Sequence, residues 1–143
     1  MISTSSKYAI KGVLYLAMYS HETKKIMVKD ICKPINVPQA YLAKLLQELS
    51  RQHIVSSTRG PKGGFYLSGK DRCQPLINIV NAIDGHKRLK SCMLSLKTCD
   101  LNKPCPMHKL FSPAKANLIK SLENKTINDI AKDIANGISF LPL

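Results

Sequence analysis

Two prolines four residues apart, Pro34 and Pro38, constrain the fold of this chain most strongly. Apolar residues at helical spacing predict a short helix over about 27–33, which Pro34 stops because proline cannot continue a helix. A longer helix over about 38–52 follows, with Pro38 suited to its first turn. Its buried stripe is predicted to be Leu42, Leu45, Leu46 and Leu49. Two helices joined by so tight a turn predict a helix-turn-helix, whose second helix can enter the major groove of DNA.

The residues after the second helix predict a β-hairpin with a basic turn. The β-rich runs 54–58 and 65–67 flank a turn that is rich in Gly and Pro and carries Arg59 and Lys62. Such a hairpin after a helix-turn-helix is a wing. An arginine beside glycine and proline can enter a minor groove, whose negative potential attracts a guanidinium, and the glycines let the backbone approach phosphate. A structural hairpin with a solvated arginine is the alternative.

Helical periodicity extends over most of the remaining chain. The first expected helix has Ser5 or Ser6 as N-cap and ends before His21, and another runs over about 74–84 and stops at Gly85. Two more are expected near the C-terminus. One has Ser112 as N-cap and Pro113 in its first turn, and the terminal one starts at Thr126 with Asp129 in a capping-box arrangement. The predicted fold is mainly α with a small β-wing. We expect a winged helix-turn-helix DNA-binding domain over 1–85, a cysteine-rich loop over 86–108 and two C-terminal helices over 109–143.

The chain carries a strong excess of positive charge. Its 143 residues include 22 Lys plus Arg against 9 Asp plus Glu, which gives a formal net charge of +13 at pH 7. This excess favours a polyanion such as double-stranded DNA as the partner, while a lysine-rich solvated surface is the alternative. The candidate DNA contacts are Gln39, Tyr41 and Lys44 in the second helix and Arg59, Gly60, Pro61 and Lys62 in the wing.

Several classes of protein are excluded by what the sequence lacks. The longest unbroken apolar run, Val13 to Met18, is far short of the roughly 20 residues that cross a bilayer, and the first residues show no signal-peptide pattern. We therefore expect a cytoplasmic protein with no membrane partner. The sequence contains no P-loop, no Ser/His/Asp arrangement and no paired carboxylates in a suitable setting, so we expect that it is not an enzyme.

Three of the five cysteines lie in the loop over 86–108, which has no sustained helical or strand period. With one histidine they form the spacing C-x6-C-x5-C-x2-H, made up of Cys92, Cys99, Cys105 and His108. Three thiolates and an imidazole this close in sequence can converge on one metal centre. Structural zinc sites usually use cysteine pairs about two to four residues apart, so the wider gaps favour an iron–sulfur cluster. Zinc or a thiol redox switch is the alternative, and we interpret Cys32 and Cys73 as structural residues.

Four segments in this order resemble one family of regulators. They are Ser6-Lys7-Tyr8-Ala9, Tyr41-Leu42-Ala43-Lys44-Leu45-Leu46, the wing from Ser56 to Phe65, and the three-cysteine loop. Together they resemble the Rrf family of winged-helix transcriptional regulators, which includes IscR, NsrR and CymR. The resemblance covers nearly the whole chain, and the ligand pattern is most similar to that of the IscR-like members.

This resemblance implies a homodimeric DNA-binding regulator of the repressor type. Each subunit would bring one winged helix-turn-helix to a half-site, and a C-terminal dimerisation helix would pair the subunits through Ala114, Leu118 and Leu122. The resemblance also implies that an iron–sulfur cluster, with two irons favoured over four, senses cluster status, nitric oxide or redox state. Its ligands would be Cys92, Cys99, Cys105 and His108. A thiol- or zinc-switched repressor is one alternative, and a small iron–sulfur or metal carrier protein is an alternative of another class.

Overall fold

Helices make up most of this computed structural model, which describes residues 2–94 and 97–142. The elements in chain order are α1 (Thr4–Tyr19), α2 (Val28–Cys32), α3 (Gln39–Arg51), β1 (Ser56–Thr58), β2 (Gly64–Tyr66), α4 (Gly69–Arg72), α5 (Leu76–Asp84), α6 (His108–Asn124) and α7 (Ile127–Ala135). Strands β1 and β2 pair antiparallel, with Ser57 opposite Phe65. The prediction of a mainly helical chain with a small β-hairpin is therefore confirmed.

The main core lies between α1, α3, α5 and α7. Each of these helices contributes fully buried side chains, namely Val13, Leu16, Leu46, Ile79 and Ile127. The close contact between α1 and α3 depends on Gly12, because a Cβ there would lie 3.1 Å from the side chain of Leu42. The C-terminal helix α7 also packs against the N-terminal helix α1, and it completes the core of the helix-turn-helix region.

The turn that joins α2 to α3 is closed by a backbone hydrogen bond, in which the Val37 amide donates to the Cys32 carbonyl at 3.1 Å. Asn36 adopts a φ of 53°, a left-handed conformation that asparagine tolerates better than most residues. Ile35 and Val37 are buried, so the turn is anchored in the core. The predicted apolar stripe of α3 is confirmed, since all four of its leucines are buried: Leu42, Leu45, Leu46 and Leu49.

The hairpin contains a third extended segment that the sequence pattern did not indicate. Ile26 pairs with Phe65 through two backbone hydrogen bonds of 2.9 and 2.8 Å, along the edge of β2 that faces away from β1. Glycine is required at Gly64, where a Cβ would lie 2.6 Å from the Ile26 carbonyl oxygen. At Gly63 a Cβ would lie 2.3 Å from the Thr58 carbonyl oxygen. Both glycines thus allow close backbone approaches within the wing itself.

Helix α1 begins earlier than predicted. Its N-cap is Ser3 rather than Ser5 or Ser6, and the Ser3 hydroxyl accepts a hydrogen bond from the Ser6 amide at 3.0 Å. Ser3 is itself held by Asp84 at the end of α5, because its amide donates to that carboxylate at 3.1 Å and its hydroxyl donates to the other carboxylate oxygen. The helix therefore starts where a residue far along the chain fixes the cap.

Helix α5 begins two residues later than predicted. The Leu76 amide donates to the Lys125 carbonyl at 2.9 Å, and the Gln74 carbonyl accepts from the Ile127 amide at 2.9 Å. This pairing with the segment before α7 keeps Pro75 extended, so the helix begins at Leu76. The predicted stop is confirmed, since Gly85 follows the helix with a φ of 82°.

The prediction that Ser112 starts a new helix is wrong, because α6 runs without a break from His108 to Asn124 and contains Pro113. Proline lacks the amide that would donate to the Lys109 carbonyl. Lys109 and Pro113 are both exposed, so water can satisfy that carbonyl. The second half of the helix packs on α5, which stabilises the continuous helix despite the missing bond.

The predicted start of the terminal helix is confirmed. Thr126 is the N-cap of α7, and its hydroxyl accepts a hydrogen bond from the Asp129 amide at 3.1 Å. The Asp129 carboxylate accepts in return from the Thr126 amide at 2.9 Å. This reciprocal capping box is a local arrangement that the sequence specifies by itself.

We expect the contact between Ser3 and Asp84 to make stability depend on pH. Burial raises the pKa of Asp84, but the hydrogen bonds from Ser3 and the charge of Arg88 outweigh it, so the pKa lies below its usual value. A carboxylate with a lowered pKa stabilises the fold above about pH 4, and this contribution is lost as the pH falls through its folded-state pKa. Asp84→Asn should therefore lower the free energy of unfolding by about 1–2 kcal/mol near pH 7.

Urea denaturation followed by circular dichroism would measure this difference near pH 7 and at about pH 3. The difference between wild type and Asp84→Asn should shrink at the lower pH, because proton binding to the wild-type carboxyl then competes with its contribution to folding. Glu123→Gln, at an exposed position of α6, serves as the control and should stay close to wild type near pH 7. A difference of the same size at both pH values would contradict the role of the Asp84 carboxylate.

Candidate functional site

Helix α3 presents a polar side to solvent. Gln39 and Lys44, which the sequence analysis selects as DNA contacts, are both exposed, and Gln47 is exposed on the same helix. The leucine stripe holds the opposite side in the core. An exposed amide and an exposed ammonium on a helix anchored in this way can donate hydrogen bonds to base edges or phosphates.

Tyr41 differs from the other candidate contacts of α3 because its side chain is hydrogen-bonded to α1 and packs against it. The residue is 39% exposed, its hydroxyl is hydrogen-bonded to the Ser5 hydroxyl, and its ring packs edge-on against that of Tyr8 with centroids 5.7 Å apart. These contacts orient α3 relative to the start of α1. No local sequence pattern indicates these contacts, because Ser5 and Tyr41 lie far apart in the chain.

The wing turn exposes every residue that was predicted to contact DNA there, namely Arg59, Gly60, Pro61 and Lys62. A hydrogen bond of 2.9 Å from the Gly63 amide to the Gly60 carbonyl closes the turn, and Gly60 has a φ of 100°, which favours glycine. The hydroxyls of Ser50 and Ser57, 2.9 Å apart, connect the end of α3 to β1. The wing and α3 are therefore directly linked.

The positive charge of this region is little neutralised by ion pairs. Within residues 2–94 and 97–142, the single ion pair joins Arg51 to Glu48 at 2.8 Å along the exposed side of α3. In the same part of the chain, no helix has both the length and the apolar character that crossing a membrane requires. Among the candidate contacts, Lys44, Arg59 and Lys62 form no ion pair within the described part of the chain and remain available to an anionic partner.

The cysteine loop brings Cys99 next to His108, the first residue of α6. The Cys99 sulfur lies 3.4 Å from His108 Nδ1. Partial burial raises the pKa of the Cys99 thiol, the neighbouring Cys92 and Cys105 thiols raise it further, and Lys115 lowers it. The three predicted cysteine ligands thus lie near one another.

Local pairing places Cys92 near the other donors. Its amide donates to the Lys97 carbonyl at 2.8 Å, and Ser91 pairs with Thr98 in the same turn. The Lys115 ammonium of α6 donates to the Ser91 carbonyl at 2.5 Å, which attaches this turn to the helix. Two residues of the predicted loop, at positions 95 and 96, lie outside the described residues.

A cavity of about 390 Å³ adjoins the cysteines. Its donors are Cys99, Cys105 and His108, its apolar walls include Met93, Leu101, Phe111 and Ile119, and two cations border it, Lys90 and Lys115. In the part of the chain that the structure describes, no three His, Cys, Asp or Glu side chains are already arranged to share a metal ion. The predicted ligands are therefore neighbours that do not yet surround a common centre.

The remaining cysteines have other environments. Cys32 is buried in the main core, where its thiol donates to the Lys29 carbonyl at 3.4 Å. Cys73 is exposed, and its amide caps the end of α4. The position of Cys32 fits its interpretation as a structural residue, while Cys73 acts through its backbone.

The three residues predicted to pair subunits have different environments. Ala114 is exposed, Leu118 is partly buried, and Leu122 is buried against Val80 and Leu89 of its own chain. Leu110 is the most exposed large apolar side chain of α6, at 70% exposure. The apolar surface of α6 that is free in a single chain therefore lies in its first half.

Comparisons with known proteins agree with this architecture. A family model described as Rrf2, iron-dependent transcriptional regulator, matches residues 2–133. The HTH-type transcriptional regulator IscR of Klebsiella pneumoniae is 28% identical over 133 residues, which cover 92% of this chain and 80% of the relative. Protein rrf2 of Nitratidesulfovibrio vulgaris is 25% identical over 132 residues, which cover 92% of this chain and 87% of the relative.

Among solved structures, CymR, the global cysteine regulator of B. subtilis, is similar to this chain with a TM-score of 0.73. The two chains are 22% identical, and the match covers 92% of this chain and 96% of CymR. The predicted winged helix-turn-helix fold is thereby confirmed. The matched family and relatives are transcriptional regulators rather than enzymes, as the sequence analysis expects. By the match over nearly its whole length, this chain belongs to the Rrf2 family of transcriptional regulators.

Proposed function

We propose that this chain is a dimeric repressor whose affinity for operator DNA is set by an iron–sulfur cluster on the cysteine loop. The observation that carries the proposal is the position of Cys99, 3.4 Å from His108 and close enough to Cys92 and Cys105 for their thiols to raise its pKa. Membership of a family described as iron-dependent supports it. We expect the protein to act in the cytoplasm, where reducing conditions keep such thiols free.

The donor set fits a soft metal centre. Three thiolates and an imidazole are ligands of both iron–sulfur clusters and zinc. The apolar wall of the adjoining cavity limits the access of water, and Lys90 and Lys115 offset the negative charge of thiolates. Four residues would hold the cluster, in a two-iron form by preference: Cys92, Cys99, Cys105 and His108. A bound cluster supplies a centre whose presence and oxidation state respond to iron supply, nitric oxide or oxidants.

Hydrogen bonds link the start of the cysteine loop to α3, the recognition helix that would enter the major groove. The loop follows Gly85, and the preceding Asp84 accepts two hydrogen bonds from Ser3, the N-cap of α1. Two residues further along α1, Ser5 is bonded to Tyr41 of α3. We infer that a change in the loop alters the placement of α3 through the start of α1, as a two-state coupling between the cluster site and the DNA-binding surface.

A second copy of the chain would pair with the first half of α6. Leu110 is 70% exposed, and Ala114 is exposed one helical turn further on. Leu118 and Leu122 continue this stripe but pack on α5 of their own chain, so they support the helix rather than form the free surface. Two copies would bring two winged domains to half-sites one turn of the duplex apart.

The first prediction about function concerns the wing. Arg59→Ala should weaken DNA binding by about 1–3 kcal/mol, because the guanidinium would enter the minor groove. Lys62→Ala should cost less and mainly reduce the salt slope, by about 1, because it contacts phosphate alone. Fluorescence anisotropy with a duplex selected from a random library, repeated over a salt series, would measure both. Lys125→Ala is the control, and equal affinity of wild type and Arg59→Ala at every salt concentration would exclude the wing from the interface.

The second prediction concerns the cluster ligands. After anaerobic purification, alanine at Cys92, Cys99 or Cys105 should abolish the visible charge-transfer absorption, while His108→Ala should leave an altered and less stable cluster. Cys73→Ala is the matched control, because this exposed cysteine lies outside the loop, and its spectrum should equal that of wild type. Absorption spectra with iron and sulfide analysis give the readout.

Two results would contradict the proposed switch. A colourless wild-type protein that holds one zinc per chain would favour the zinc-switched repressor. Equal binding of the selected duplex by the cluster-loaded and cluster-free forms would show that the cluster does not regulate DNA binding.

The third prediction concerns the subunit contact. Leu110→Lys should dissociate the dimer, because a lysine buried at that contact would have no partner for its charge. Lys120→Gln, an exposed change in the second half of α6, should leave the dimer intact. Sedimentation velocity would report the mass, and circular dichroism would verify that each variant is folded. A Leu110→Lys variant that remains fully dimeric would refute this placement of the interface.

A further inference from the structure

A basic cleft of about 460 Å³ lies beside the wing, and it extends from Pro61 and Lys62 to residues that are not among the predicted DNA contacts. Its walls come from the end of α1, the segment before α2 and the wing turn, and its cations are Lys24, Lys25 and Lys62. Tyr15 and Tyr19 line its floor, and Asp30 is its single acidic residue. The cleft is therefore a concave surface with an excess of positive charge.

The lysines of the cleft are held near the wing without being neutralised. The Lys25 ammonium lies 5.5 Å from the centre of the Tyr66 ring in β2, a cation–π contact that positions the charge and preserves it. Among the described residues, the single ion pair is the one between Arg51 and Glu48, so no carboxylate forms an ion pair with these three ammonium groups. They remain free to bind an external anion.

The strand order places this cleft on the outer side of the wing. Strand β1 follows α3 and pairs with one edge of β2, while Ile26 pairs with the opposite edge. Lys24 and Lys25 directly precede Ile26 in the chain. A duplex that contacts α3 and then the wing turn would therefore reach this cleft next, beyond the groove that Arg59 enters.

We propose that Lys24 and Lys25, together with Lys62, form a phosphate-binding cleft for the DNA backbone that flanks each half-site. The inference rests on the proposed DNA-binding function, and it adds a contact with the DNA backbone outside the half-site. A duplex carries one phosphate charge per roughly 1.7 Å of axis, so phosphates continue past the wing. Lysine binds phosphate as a point charge and reads no base, so the cleft would add affinity for flanking DNA of any sequence.

The experiment compares two duplexes, a selected site of minimal length and the same site extended by about six base pairs at each end, which covers the next phosphates. Wild-type full-length protein should bind the extended duplex more tightly. The double variant Lys24→Gln, Lys25→Gln should lose this gain and bind the extended duplex roughly tenfold more weakly than wild type at about 0.1 M salt. Its salt slope on the extended duplex should fall by about 1.8, which corresponds to two phosphate contacts.

The matched control is the double variant Lys120→Gln, Lys125→Gln, which removes the same charge from exposed positions far from the wing in sequence. It should keep the gain from flanking DNA. Circular dichroism would verify that both double variants are folded. A wild-type protein that binds neither duplex would refute the proposed function itself. Wild-type binding with no difference between the two double variants would refute the cleft and leave the proposed function intact.

Two further outcomes would also overturn the inference. An equal loss of affinity on both duplex lengths would place Lys24 and Lys25 over the core of the site rather than its flank. A titration with inorganic phosphate and with adenosine monophosphate, followed by NMR, tests the other source of phosphate. Saturable binding that requires the two lysines, together with unchanged DNA binding by their double variant, would identify the cleft as a small-anion site instead.

Discussion

The burial of one face of α1 is the interaction on which the winged part of this chain depends. The helix packs against α2, α3, α5, α7 and β2, and its Val13 and Leu16 are fully buried. Its last turn is held by Arg72, whose guanidinium donates to the carbonyls of Ala17 and Ser20 at 2.6 and 2.7 Å. Carbonyls at a helix end lack partners within the helix, so this contact fastens α4 to α1. The recognition helix and the wing are therefore carried by one common support.

Several of the few carboxylates in this chain hold helix caps or neighbouring side chains. Asp71 and Asp129 complete capping boxes, Asp84 holds the cap of α1, and Glu48 bonds to its neighbours on α3. The chain has 9 acidic residues against 22 basic ones, so its net charge stays strongly positive wherever these acids lie. A surface with this excess of positive charge attracts polyanions.

The cysteine loop is attached to the fold at both of its ends. Leu89 is buried with Val80 and Leu122, which anchors the beginning of the loop between α5 and α6. His108 belongs to α6, so one donor is fixed on a helix while the cysteines lie on the loop. At the nearby end of α5, Asp84 accepts hydrogen bonds from Ser3, the N-cap of α1.

The sequence by itself determined the features that depend on residues within about one helical turn of each other. These are the turn between α2 and α3, the leucine stripe, the glycine-rich wing and the capping box of α7. The tertiary structure decided where α1 begins, whether α6 continues through Pro113, which side of α6 is buried and which lysines lie beside the wing. It also decided that the Cys99 sulfur lies next to His108. Caps, turns and periodicity act through neighbouring backbone groups, whereas contacts between distant segments depend on how all the helices pack, and that packing selects among the local alternatives.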